Sequence, residues 1–217
     1  MKFYFNNGSC SLASHIALEE SGLPFETVCV TLAAGQIQQA DYLAKNPWGR
    51  VPALETAGAV LTENVAILQY IADLVPDRGL LPPSATLERA RANRFLSLLS
   101  STVHIAFRPL FRPNRLATTE LGQADVIATG VEALNDVLKK LEAELSATEF
   151  VLESGYSLCD AYTLVFALWT QKPSARLLVT PTPNLHALAA RVIKRPAVQA
   201  AMRTEKLIFI DASLTAA

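Results

Sequence analysis

The chain has 217 residues, 51% apolar and 18% charged, a balance that excludes a disordered polymer and leaves room for one large core or two modest ones. Nineteen Lys and Arg face 20 Asp and Glu, and basic residues form no run longer than a pair. A net charge of −1 without a basic stripe argues against nucleic-acid or anionic-membrane partners and toward small molecules or proteins.

Residues 2–5 read as a short strand rich in aromatics, and Asn6-Asn7-Gly8 as a polar turn that cuts off any secretory leader. Residues 11–21 predict an amphipathic helix closed by Gly22. Residues 26–32 alternate as a second strand, close enough to the first for a β-α-β unit. Residues 33–48 read as irregular or partly helical. Two further strands, at 51–55 and 59–62, flank the turn Thr56-Ala57-Gly58 as a hairpin, and a helix at 64–75 carries Val65, Leu68, Ile71, Ala72 and Val75 on one face.

PDRGLLPPSAT, at 76–86, has three prolines and a glycine, the composition of a linker. It divides the chain into a first domain at 1–78 and a second at 86–217, in which no convincing strand appears. Ile127, Val131, Leu134, Leu138, Leu141 and Leu145 alternate steps of four and three and line one helix face. Ser157-Leu158-Cys159-Asp160 has the form of a capping box before a helix apolar almost all round, the buried centre of an all-helical domain. Its run LVFALW, at 164–169, is far short of the roughly 20 residues a membrane span needs.

Cys10, Cys29 and Cys159 are odd in number and widely spaced, which fits a reducing compartment and predicts a soluble cytoplasmic protein. His15, His104 and His186 lie far apart with no H-x-x-x-H or C-x-x-C, so no metal site is expected. Cys10, at the N-terminal end of the first helix, is either a thiol whose anion the helix end favours or a small apolar residue that packs. Val51-Pro52 is either a cis bond exposing the Val51 backbone to a cleft or an ordinary trans proline opening a strand. Thr62-Glu63-Asn64 either caps the third helix or holds an amino-acid head group, with N–H groups for its carboxylate and Glu63 for its ammonium.

These elements coincide with a family. GSCSL with Cys10, NPWGRVPAL with Val51-Pro52, LTENVAILQYIAD around Glu63-Asn64, VPDRGLLPP, VHIAFRPLFRP with His104, SLCDAYTLVFALW and KRPAVQAAM occur in order, and the chain resembles the glutathione transferases of the bacterial beta class over essentially its whole length. The resemblance implies an α/β thioredoxin-like N-terminal domain followed by an all-α C-terminal domain. It implies a cytoplasmic, homodimeric detoxification enzyme that joins glutathione, its co-substrate, to small hydrophobic electrophiles. Thiol transfer or peroxide reduction would be further activities.

By that resemblance Cys10, Ser11 and His104 are the catalytic residues, with His104 a hydrogen-bond partner or proton acceptor, and Gln36, Val51, Pro52, Glu63 and Asn64 hold glutathione. Phe5, Phe107, Arg108, Phe111 and Trp169 wall the electrophile pocket. The chain departs from the family where Phe5 replaces a usual Tyr, Asn64 a small Ser or Gly, and Trp48 a common Lys; Tyr4 faces the other side of the sheet and cannot replace the missing phenol. The alternative is a noncatalytic glutathione-binding or protein-interaction module, since one fold serves many functions.

Overall fold

A computed structural model describes residues 1–31 and 34–210. Leu32, where the predicted second strand ends, lies outside them, as do residues 211–217.

β1 (Lys2–Phe5) leads through α1 (Leu12–Ser21) to β2 (Glu26–Cys29), which pairs with β1 in parallel. A single turn at Gln36–Gln38 and the short α2 (Ala40–Leu43) follow, then the hairpin of β3 (Ala53–Thr56) and β4 (Ala59–Thr62). β3 joins β1 antiparallel, giving the strand order β2-β1-β3-β4. Ala57 and Gly58, with φ of 49° and 77°, supply the two left-handed residues that a two-residue hairpin loop requires. α3 (Asn64–Leu74) then crosses back and packs on α1.

The Pro-rich segment forms a turn at Pro76–Arg78, and α4 (Leu87–Leu98) starts where the Thr86 hydroxyl accepts from Arg89 N–H. The buried Arg89 guanidinium reaches back to Asp73 at 2.9 and 3.1 Å and to the Pro82 carbonyl at 2.8 Å, clamping the linker to the end of α3. α4 runs on through a widened π-type turn at Leu99–Val103 into α5 (His104–Ala106) and α6 (Arg108–Phe111). The helical phase is therefore reset twice, by the extra residue of the π turn before His104 and by the break at Phe107. Pro109 sits in the first turn of α6, where a missing N–H costs little.

α7 (Glu120–Leu145) buries Leu134, Leu138, Leu141 and Leu145 on the predicted face, while Ile127 and Val131 are half-buried. Gly130 of α7 packs on Pro109 so closely that an added Cβ would collide with the ring. α8 (Leu158–Thr170) is apolar and buried as predicted, and its capping box is complete: Asp160 accepts from Ser157 N–H at 2.8 Å, and Ser157 caps in return. α9 (Pro183–Val192) and α10 (Pro196–Thr204) follow, and the one β-type pairing among the described residues of this helical region is an isolated bridge between Leu152 and Gly155.

α1 differs from expectation. It is buried on almost every side rather than amphipathic, because α3 covers one flank and α8 and α10 cover another. Its polar side chains are matched accordingly. Ser14 donates to Asn64 Oδ1 at 2.7 Å, fully buried His15 meets fully buried Glu205 at 2.9 Å, and Glu20 takes Arg195 in a two-point pair at 2.6 and 3.0 Å. One apolar core thus runs from Phe3 under the sheet to Met202 of α10.

Candidate active site

Cys10 sits in the turn from β1 into α1, half-buried, with its sulfur 3.6 Å from the Val51 carbonyl to which the thiol donates. Burial pushes that thiol up to about 12, and the charges of Glu63 and Glu205 act in the same direction. Its own backbone N–H and the Asn64 side chain pull the other way without prevailing. Cys10 is therefore a neutral thiol at pH 7: of the two readings the sequence leaves open, burial favours the packed thiol over the helix-stabilised anion, because desolvation outweighs the helix end.

The Val51-Pro52 bond is cis, and the half-buried Val51 lies beside Cys10 at the foot of β3. Glu63 is the N-cap of α3, exposed, with φ of 70°, a left-handed conformation that few non-glycine residues hold outside functional sites. Its carboxylate has no hydrogen-bond partner among the described residues. Asn64 is buried, and its side chain accepts from Ser14 and donates to the Cys10 carbonyl at 2.8 Å. It positions the Cys10 turn, with both its side-chain oxygen and its side-chain nitrogen engaged within the protein.

The helical wall opposite is aromatic. His104 lies 4.9 Å from Trp169 ring to ring, and Phe107, Phe111, Phe166 and Trp169 stack or meet edge-on at 5.3 to 6.1 Å. Burial lowers His104 to about 4, and Arg108 and Arg50 add to the fall, so its imidazole is neutral at pH 7. Trp169 Nε1 donates to the Gly8 carbonyl at 3.0 Å, and Lys172 Nζ donates to the same oxygen at 3.0 Å. Lys172 also lies over the Phe111 and Trp169 rings, at 5.2 and 5.5 Å.

Several predicted site residues support the cleft rather than line it. Ser11 is fully buried and bonds Ser9 Oγ at 2.7 Å and the Asn6 backbone, so its hydroxyl braces the turn and does not face a ligand. Phe5 is 3% exposed, packed between Phe3 and His15, because its β1 position points into the core. Phe107 is fully buried behind Phe111. The Gln36 carbonyl accepts from Thr31 N–H at 2.7 Å, which leaves only its amide NH2 for a ligand. Tyr4 lies on the opposite sheet face, bonding Glu55 at 2.8 Å.

Lys172, Arg50 and Arg112 were invisible to sequence reasoning, since nothing in TQKPS or in the spacing of two arginines announces a shared cleft. Two concavities, of about 330 Å3 near His186 and about 920 Å3 beside Arg94 and Glu144, do not contain Cys10. They offer none of its chemistry. The described residues hold no group of three or more His, Cys, Asp or Glu that could bind a metal ion, and no helix among them is long and apolar enough to cross a membrane.

A thioredoxin-like sheet, a helical second region and a cysteine-bearing turn between them define a glutathione-handling enzyme. Residues 2–73 match the glutathione S-transferase N-terminal domain and residues 99–196 the C-terminal domain; the chain belongs to the glutathione S-transferase family, in its bacterial beta class. It is 38% identical to a bacterial beta-class glutathione S-transferase of Sphingomonas chungbukensis, over 96% of this chain and 100% of that one, with a TM-score of 0.83. A sphingomonad glutathione S-transferase complexed with glutathione is also 38% identical, with the same coverage and a TM-score of 0.82. Glutathione S-transferase GstA of Escherichia coli O157:H7 is 37% identical over 209 residues, 95% of this chain and 100% of that protein.

Proposed function

We propose that this glutathione transferase, which conjugates glutathione to electrophiles, takes small molecules with an apolar, aromatic body and works by activating the glutathione sulfur rather than by a disulfide on Cys10. The observation that carries the reading is the neutral Cys10 thiol beside the Val51 carbonyl, with the unpartnered Glu63 carboxylate acting on the same point. An extended peptide can pair with the Val51 backbone as an added strand, its ammonium end toward Glu63 and its sulfur toward Cys10. Pro52, buried at the start of β3, fixes that backbone.

In conjugation the glutathione thiol gives up its proton, its sulfur pair forms the new carbon–sulfur bond, and the leaving group departs with the pair of the broken bond. The neutral Cys10 S–H can donate to the sulfur anion once it leaves Val51. His104, neutral and depressed to about 4, is suited to hydrogen bonding and poorly suited to accepting a thiol proton at pH 7. Half-buried Phe111, backed by Phe107 and Trp169, offers the apolar surface for the electrophile.

A glutathione column followed by conjugation of 1-chloro-2,4-dinitrobenzene tests this. Retention with turnover that persists in Cys10→Ala supports it; loss of all conjugation in Cys10→Ala, with glutathione still bound, would return the reaction to a covalent Cys10 intermediate. We further propose a cytoplasmic homodimer; the three free cysteines support the reducing compartment, and light scattering giving twice the chain mass would support the dimer.

A further inference from the structure

Cations gather on the helical side of this cleft. Arg108 follows His104 by one turn and Arg112 follows Arg108 by another, while Lys172 arrives from beyond α8 to lie over Phe111 and Trp169. Burial holds Lys172 below its ordinary value, and the charge of Arg112 adds to the fall. Lys45, Arg89, Arg94, Lys140 and Arg195 each hold a carboxylate. Arg108, Arg112 and Lys172 hold none among the described residues.

Lys172 is half-buried and lacks a carboxylate partner among the described residues, and its bond to the Gly8 carbonyl and the two ring faces return only part of the hydration its ammonium has lost. An anion landing between Lys172 and Arg112 would relieve that cost. Glutathione is ill placed to supply it, because its ammonium end is assigned to Glu63 and its backbone to Val51, on the sheet side; Arg50, beside Val51, is the cation it meets first.

We infer that the preferred electrophile carries a carboxylate on its aromatic body, and that Lys172, with Arg112, selects for it. The inference rests on the transferase reading. The ring would lie against Phe111, with its carboxylate toward Lys172 Nζ and its reactive carbon toward the glutathione sulfur.

Two aryl chlorides of like chemistry test it, neutral 1-chloro-2,4-dinitrobenzene and anionic 4-chloro-3,5-dinitrobenzoate. In both, sulfur displaces chloride: the carbon–sulfur bond forms, the carbon–chlorine bond breaks, and the thiol proton passes to solvent. With each rate divided by the uncatalysed rate with glutathione, the anionic chloride should be accelerated more, and added salt should shrink its advantage. Lys172→Met should lower the ratio of kcat/KM for the anionic over the neutral substrate by about ten-fold or more, the scale of one charge-assisted hydrogen bond. Lys172→Arg should restore most of it.

An unchanged ratio in Lys172→Met would overturn the inference, as would a rise in KM for glutathione of equal size with both chlorides, which would assign the cation to glutathione itself. Failure to conjugate either chloride would sink the transferase reading instead. The charge inference then stands or falls on binding of unreactive 3,5-dinitrobenzoate to the glutathione-loaded protein, which calorimetry should show weakening about ten-fold in Lys172→Met.

Discussion

Trp169 Nε1 reaches across the molecule to the Gly8 carbonyl at 3.0 Å, so that α8 holds the turn that carries Cys10. The same turn is fixed at the Gly8 N–H by Glu205, at 2.9 Å, and Glu205 is fixed in turn by His15. A cleft built from two regions needs such ties, because the parts that face the ligand come from elements far apart in the chain.

Trp169→Phe should therefore act on both stability and turnover. It keeps the ring but removes one donor, and Lys172 still serves the Gly8 oxygen, so the loss in stability should be about 1 kcal/mol. Turnover should fall further than KM for glutathione rises, since the turn loosens where the sulfur reacts. Thermal melts with steady-state kinetics would show it, and a variant with unaltered kcat would mean that the tie is idle.

Asp160→Ala should destabilise the fold and leave the site of the folded protein intact. The carboxylate accepts from Ser157 N–H and from Val151 N–H, each at 2.8 Å, and its removal leaves buried donors unpaired at the start of the central helix. The expected cost is about 2–3 kcal/mol, above that of a surface cap. Denaturant titration measures it; normal stability with lost glutathione affinity would contradict the structural role.

Glu63→Gln should weaken glutathione binding about ten-fold or more, by removing the charge from its contact with the ammonium. Glu63 is exposed and its carboxylate bonds to nothing among the described residues, so the melting temperature should barely move. Titration calorimetry that returns the wild-type affinity would remove Glu63 from the site.

Most of the architecture was legible in the sequence because it depends on local pattern: the aromatic run of β1, the hairpin turn Thr56-Ala57-Gly58, the capping box Ser157/Asp160 and the apolar α8. Cys10, Val51-Pro52 and Glu63 stand out in the sequence because a helix start, an X-Pro bond and a helix cap mark them. What the sequence does not show depends on burial. Ser11 carries the same hydroxyl in a cleft or in a core, and only its bonds to Ser9 and Asn6 distinguish the two. Asn64 looks like a ligand residue until Ser14 and Cys10 claim its amide. Lys172 is unreadable for the opposite reason: its partners Gly8 and Phe111 lie 164 and 61 positions away along the chain.

Alkylation should separate the three cysteines in an order that the helix-end reading of Cys10 would not give. Cys29 is exposed and should label first. Cys10, raised to about 12 by burial, should label slowly at pH 7, and Cys159, buried and also raised to about 12, only on unfolding. Peptide mapping after brief iodoacetamide treatment gives the order; faster labelling of Cys10 than of Cys29 would restore a stabilised anion.

His104 gives the protein a signature in acid. Unfolded, the imidazole titrates near its ordinary 6.5; folded, burial and the charges of Arg108 and Arg50 hold it near 4. Between these values the unfolded chain binds more protons than the folded one, so stability falls as the pH drops through that window and is fully present above it. The size is at most about 3 kcal/mol, less what water at the half-buried ring returns. His104→Asn should remove that part of the slope, so the difference in unfolding free energy between variant and wild type should shift in favour of the variant as the pH falls from 7 to 4. If that difference instead moved the other way, His104 would be holding its proton in the folded state, and its role as a neutral hydrogen-bonding partner beside the glutathione sulfur would have to be abandoned.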